Sequence, residues 1–94
     1  MCTMIAEKVK IEGSGKGTNG WFKLEGASVS YDHPFHAPYE YALNIDFMNE
    51  SQGLSARVAV ELSEEAAREL VKTILDALAQ AEAGGHLESQ RRRG

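Results

Sequence analysis

The sequence predicts an α+β fold: a single four-stranded antiparallel sheet followed by one long C-terminal helix packed on one face (ββββα). Three observations carry this. Apolar and polar residues alternate with period two in two adjacent segments, Tyr39 to Met48 and Leu54 to Leu62. One apolar stripe of helical spacing follows Ser63 and stops at Gly84-Gly85. The segments between the periodic stretches have turn composition.

The elements follow in order. Thr3 to Glu12 reads as a strand with Ile5, Val9 and Ile11 on one face and Lys8 and Lys10 on the other. Glu7 falls among the apolar positions, which costs free energy unless the carboxylate is paired, ligated or wet. Gly13 to Gly20 reads as a glycine-rich turn. It lacks the order of a phosphate-binding loop, and Trp21-Phe22 follows it instead of a helix start. Trp21 to Asp32 reads as a second strand. Phe22 and Leu24 have one parity and Ala27, Val29 and Tyr31 the other, so a bulge is expected at Gly26. Tyr39 to Met48 and Leu54 to Leu62 form a hairpin around the turn Asn49 to Gly53, with one apolar and one polar face. On the polar face, Arg57, Glu61, Asp46 and Asn44 read as a lattice of charges and hydrogen bonds. Ser63 is a good N-cap, and Glu64 and Glu65 suit the first turn of a helix. Its stripe is Ala67, Leu70, Val71, Ile74, Leu78 and Ala81.

At 94 residues the chain has room for one domain, expected over 1–83, with a disordered tail over 84–94. A single helix covers a four-stranded sheet incompletely, so a homodimer is expected, by helix–helix contact, face contact or edge pairing. Residues 1–83 hold thirteen acids against seven bases, and such a body repels phosphate backbones, so no nucleic acid is expected as a partner. Arg91, Arg92 and Arg93 read as part of a solvated tail. No apolar run reaches the roughly 18 residues of a membrane span, and the first residues do not have the pattern of a signal peptide. A cytoplasmic protein with no membrane partner is expected. Its single cysteine excludes an intramolecular disulfide.

One segment stands apart: Asp32-His33-Pro34-Phe35-His36-Ala37-Pro38 holds two of the three histidines and both prolines. Proline stiffens the backbone and removes ladder donors, and a metal site needs ligands held in place before the metal arrives. His33 and His36 are the candidate metal ligands, with Cys2 as the third. Zinc suits this set best, and copper, nickel or iron also fit it. Three protein ligands leave zinc an open position for a water of pKa near 7, the arrangement of a metal-dependent hydrolase acting on a small-molecule substrate. Asp32, Glu40 or Glu7 would serve as further ligand or general base. Two other readings compete. In one the protein is a non-catalytic dimeric module binding a ligand or protein without metal, with the loop as a connector and the sheet face as the binding surface. In the other Cys2 is a nucleophile with His33 or His36 as its base. Tyr31, Tyr39 and Tyr41 flank the loop and read mainly as packing residues.

The opening Met1-Cys2-Thr3, the run Gly13-Ser14-Gly15-Lys16-Gly17 with Gly20-Trp21-Phe22, the Asp32 to Pro38 loop, Leu43 to Phe47 and Ser55 to Leu62 together resemble a family. It is a family of small, mostly actinobacterial proteins of unknown function, about 80–95 residues long, with an N-terminal Met-Cys-Thr and a D-H-P-x-H-A-P loop. The resemblance covers about residues 1–82 and brings neither a fold nor an activity. It implies that Cys2, His33 and His36 act together.

Overall fold

The computed structural model of the protein describes residues 5–53 and 55–91. Cys2, the expected strand start at Thr3, Leu54, Arg92 and Arg93 lie outside them. The chain divides into two compact units, one ending at Glu64 and the other beginning at Glu65.

The first unit is one antiparallel sheet in the order β1-β2-β3-β4, formed by β1 (Ile5–Gly17), β2 (Gly20–Asp32), β3 (Ala42–Met48) and β4 (Arg57–Leu62). The register aligns the expected apolar positions. Leu43, Ile45 and Phe47 pair with Leu62, Val60 and Val58 on one side and with Tyr31, Val29 and Ala27 on the other. Ile5 and Val9 continue that face in β1, and Glu7 sits on it opposite Val29. Directly opposed residues share a face, so Ser30, Asn44 and Glu61 line the reverse side. The buried apolar residues among those described are small: Ala27, Ala42 and Ala56. Ile5 and Val9 are 64% and 53% exposed.

Several features differ from expectation, among them the start of β4 at Arg57 instead of Leu54. Gly13 to Gly17 is not a turn but the end of β1, and the reversal is confined to Thr18-Asn19 between the paired Gly17 and Gly20. Glycine is used there for close approach: a Cβ on Gly17 would stand 3.1 Å from the Ser55 carbonyl oxygen and 3.3 Å from the Phe22 ring. The long β1–β2 arm therefore reaches the start of β4. The bulge lies not at Gly26 but across from its neighbour, where the register slips between Lys10 and Gly13 and sets Ile11 and Glu12 against Glu25. The parity change in β2 marks the site, and the extra residue is on the partner strand. Finally, β3 begins at Ala42 instead of Tyr39, because Pro38 has no ladder donor and the Glu40 carbonyl is taken by a side chain.

The turn after β3 is a short 3₁₀ helix, Glu50–Gln52, built around Asn49. Asn49 is 2% exposed. Its amide nitrogen donates to the Lys23 carbonyl at 3.0 Å, and its oxygen accepts from Ser51 N–H at 3.1 Å and Ser51 Oγ at 2.6 Å. One buried side chain thus ties the β3–β4 turn to the β1–β2 arm.

Helix α1 (Glu64–Ala83) begins at the last residue of the first unit; the rest of it and the short α2 (Glu88–Arg91) belong to the second. Gly85, at φ +73°, ends α1 with a two-bond cap, His86 N–H to the Ala81 carbonyl and Gly85 N–H to the Glu82 carbonyl. Gln90 reaches back to the Glu82 carbonyl at 3.2 Å. No residue of α1 is buried, and Leu70, Val71, Ile74, Leu75 and Leu78 are 42–61% exposed. No helix among the described residues is long and apolar enough to cross a membrane.

Candidate functional site

The segment from His33 to Tyr41 leaves the sheet at Asp32 and rejoins it at Ala42, two residues that pair with each other. A loop outside the ladder must satisfy its backbone donors in another way. Glu61, in β4 and opposite Asn44, does this for three consecutive residues. Phe35 N–H donates to its Oε2 at 2.6 Å, Ala37 N–H to Oε1 at 2.8 Å and His36 N–H to Oε1 at 3.1 Å. Successive amides converging in this way form a nest for an anion, here filled by the chain's own carboxylate. The bonds from Ala37 and Phe35 lower the Glu61 pKa below its ordinary value; the smaller effect of desolvation opposes them.

His33 is fixed at three points. Its N–H donates to Asp32 Oδ1. Its Nδ1 lies 2.8 Å from the Glu40 carbonyl oxygen. Its ring stacks on Tyr41 with centroids 4.8 Å apart, and Tyr41 stacks in turn on Tyr31 at 6.0 Å. A carbonyl only accepts, so the proton of neutral His33 belongs on Nδ1, and Nε2 keeps its lone pair. His36 is exposed, and its charged form contributes to lowering the Glu61 pKa. Phe35, between the two histidines, is wholly exposed.

The structure thus brings Asp32, His33, His36 and the Glu40 backbone into one pinned loop. Glu7 lies in β1 on the sheet face opposite to that of Glu61 and is not part of this group. Cys2 is outside the described residues. Among the described residues no group of three or more His, Cys, Asp or Glu side chains is placed to hold a metal ion. On the polar face Arg57 pairs with Asp46 at 2.6 Å, both partly exposed, and Glu61 serves the loop instead of joining a lattice. The Asn44 side-chain oxygen is buried without a hydrogen-bond partner beside Glu61.

Sequence reasoning placed Glu61 on the polar face and missed its clasp. The available signal was an account of donors: two prolines release residues 35–37 from any ladder, and an acceptor must then be found for them.

A family model described as a family of unknown function, DUF6295, matches residues 1–87. The chain belongs to that family. The match takes in the whole sheet, the loop and α1. No curated protein and no solved structure matches the chain.

Proposed function

We propose that the loop of this DUF6295 protein is a transition-metal site, with His33 and His36 as ligands and Cys2 completing the set. The bond between His33 Nδ1 and the Glu40 carbonyl carries this reading. Metal-bound histidines commonly donate their second ring N–H to a carbonyl or carboxylate, which fixes the tautomer and aims the other nitrogen. His33 has that arrangement, and the Glu61 clasp adds a rigid loop. Zinc is the metal this donor set favours, and a zinc-bound water at the open position would supply a nucleophile for hydrolysis of a small-molecule substrate. Asp32 or Glu40 would accept its proton. A reducing cytoplasm, where a lone cysteine stays a thiol, is the compartment this reading requires.

Metal content measured by elemental mass spectrometry on tag-free protein tests it. About one equivalent is expected in the wild type and none in a His33→Ala, His36→Ala double variant, by the one-ion, three-ligand stoichiometry of such sites. A wild type that stays empty when zinc, copper, nickel and iron are offered overturns the metal reading.

A second reading is favoured by a different observation. Phe35 is fully exposed at the tip of a pinned loop, with Tyr39 and Tyr41 also exposed nearby in sequence. A preorganised loop presenting an aromatic side chain is the form of a binding hot spot, as in a non-catalytic ligand- or protein-binding module. Under it, Phe35→Ala weakens partner capture and metal is irrelevant to binding.

A further inference from the structure

The β1–β2 reversal carries a chemistry that neither the histidine loop nor the sheet faces use. The chain has three asparagines, Asn19, Asn44 and Asn49, followed by Gly20, Ile45 and Glu50. The side-chain carbonyl of an asparagine is open to attack by the main-chain nitrogen of the next residue, one reason the residue is thermolabile. Three things govern the attack: how freely the side chain turns, how crowded the nitrogen is, and how firmly the local backbone is held.

Two of the three asparagines are blocked. Asn44 lies inside β3, with β2 paired on one side and β4 on the other. The nitrogen it would need belongs to Ile45, whose stiff, β-branched side chain crowds the approach. Asn49 is buried, and three hydrogen bonds to Lys23 and Ser51 fix its side-chain amide. Asn19 differs on each count. It is exposed in the two-residue reversal between the paired Gly17 and Gly20. The residue that follows has no side chain, and a Cβ built on Gly20 would meet nothing within 4 Å. Gly20 closes the last rung of the ladder, opposite Gly17. Terminal rungs at exposed loop tips fray first, so the Gly20 nitrogen becomes available without unfolding of the sheet.

We infer that Asn19 is a self-modifying site: the Gly20 nitrogen closes on Asn19 Cγ and converts the asparagine to aspartate and isoaspartate. The steps balance. Gly20 N–H gives its proton to solvent base, the N–Cγ bond forms, and the Cγ–Nδ2 bond breaks with loss of ammonia. Water then opens the cyclic imide. Opening at Cγ gives aspartate. Opening at the Asn19 main-chain carbonyl gives isoaspartate, in which the main chain runs through the former side chain. Each conversion consumes one water, releases one ammonia and adds one negative charge at the tip of the arm. Isoaspartate also lengthens a reversal that has only two residues between its paired ends. The Gly17–Gly20 rung, and with it the close approach of Gly17 to the Ser55 carbonyl, is expected to loosen.

Ageing of the full chain at mildly alkaline pH, followed by peptide mapping, tests this. Trypsin cleavage after Lys16 and Lys23 isolates Asn19 in one peptide, apart from Asn44 and Asn49. That peptide is expected to gain two isomeric acid forms, several-fold faster than the peptide holding the other two asparagines. Its isoaspartate form should accept a methyl group from S-adenosylmethionine with an isoaspartyl methyltransferase as probe. Asn19→Gln, an exposed change that keeps the amide, is expected to lose both signals, because the longer side chain closes the ring slowly. Conversion at Asn19 no faster than at Asn44 and Asn49 overturns the proposal. So does conversion that appears only in urea, because unfolding would then be required. Hydrogen exchange reads the consequence: the amides flanking the reversal should exchange faster in the isoaspartate fraction, and unchanged exchange overturns the effect on the arm.

Discussion

Glu61 shows how one carboxylate can fix a site without performing chemistry in it. Its three bonds to residues 35–37 hold the histidine loop on β4, and those bonds lower its pKa. The sign follows from linkage. A carboxylate with a depressed folded-state pKa contributes stability that is fully present above its unfolded value and is lost as pH falls through its lower folded value. Loop order is therefore expected to persist at neutral pH and to fail in acid, below the ordinary carboxylate range. Glu61→Gln should expose the amides of residues 35–37 to rapid hydrogen exchange at neutral pH and flatten the acid dependence; unchanged exchange in the variant would refute the clasp. Asn49 has a comparable role in the arm. Asn49→Ala leaves the Lys23 carbonyl and the Ser51 amide without their partner, at a cost of about 2 kcal/mol in urea denaturation. The histidine loop was legible as a segment apart because two histidines and both prolines fall within seven residues. Glu61 and Asn49 were not, because their partners lie 24 to 26 residues away, and no local period reveals a hydrogen bond of that span.

At the scale of elements, period-two alternation is local, so all four strands could be read from residue order alone, including the place of Glu7 on the apolar face, where it lies opposite Val29. The β1–β2 arm was harder to recognise. Glycine is a turn former in the absence of other information, yet in Gly13 to Gly17 part of its use is to let the arm approach β4, a contact made by distant residues. The two uses can be separated by substitution. Gly17→Ala places a Cβ against the Ser55 carbonyl and the Phe22 ring, so the arm must shift by a few tenths of an ångström. Gly13→Ala meets only the Leu24 side chain, at an ordinary 3.9 Å. Thermal melts should show a clear loss for Gly17→Ala and little change, or a small gain from the stiffer unfolded chain, for Gly13→Ala. Equal effects would mean that the glycines are chosen for flexibility after all.

For the whole molecule, the decisive quantity is how little apolar surface each unit hides. The buried apolar side chains described are three alanines, while Ile5 and Val9 on the sheet and five large residues on α1 are partly exposed. A chain of this size is already close to the limit at which a single core sustains a fold. Leaving those side chains wet forgoes the main favourable term of folding, on the order of 1.5–3 kcal/mol for each one fully buried. If α1 pairs between copies, folding and association share that term, and stability becomes a function of protein concentration by mass action. The thermal midpoint is then expected to rise with concentration. In Ile74→Glu it should fall and become independent of concentration, since a carboxylate in the middle of the apolar stripe cannot be desolvated without a partner. An acid placed off that stripe, Gln80→Glu, should keep most of the concentration dependence. A wild-type midpoint that does not move with concentration would separate stability from association and would leave the sheet and the helix to be stabilised within one chain.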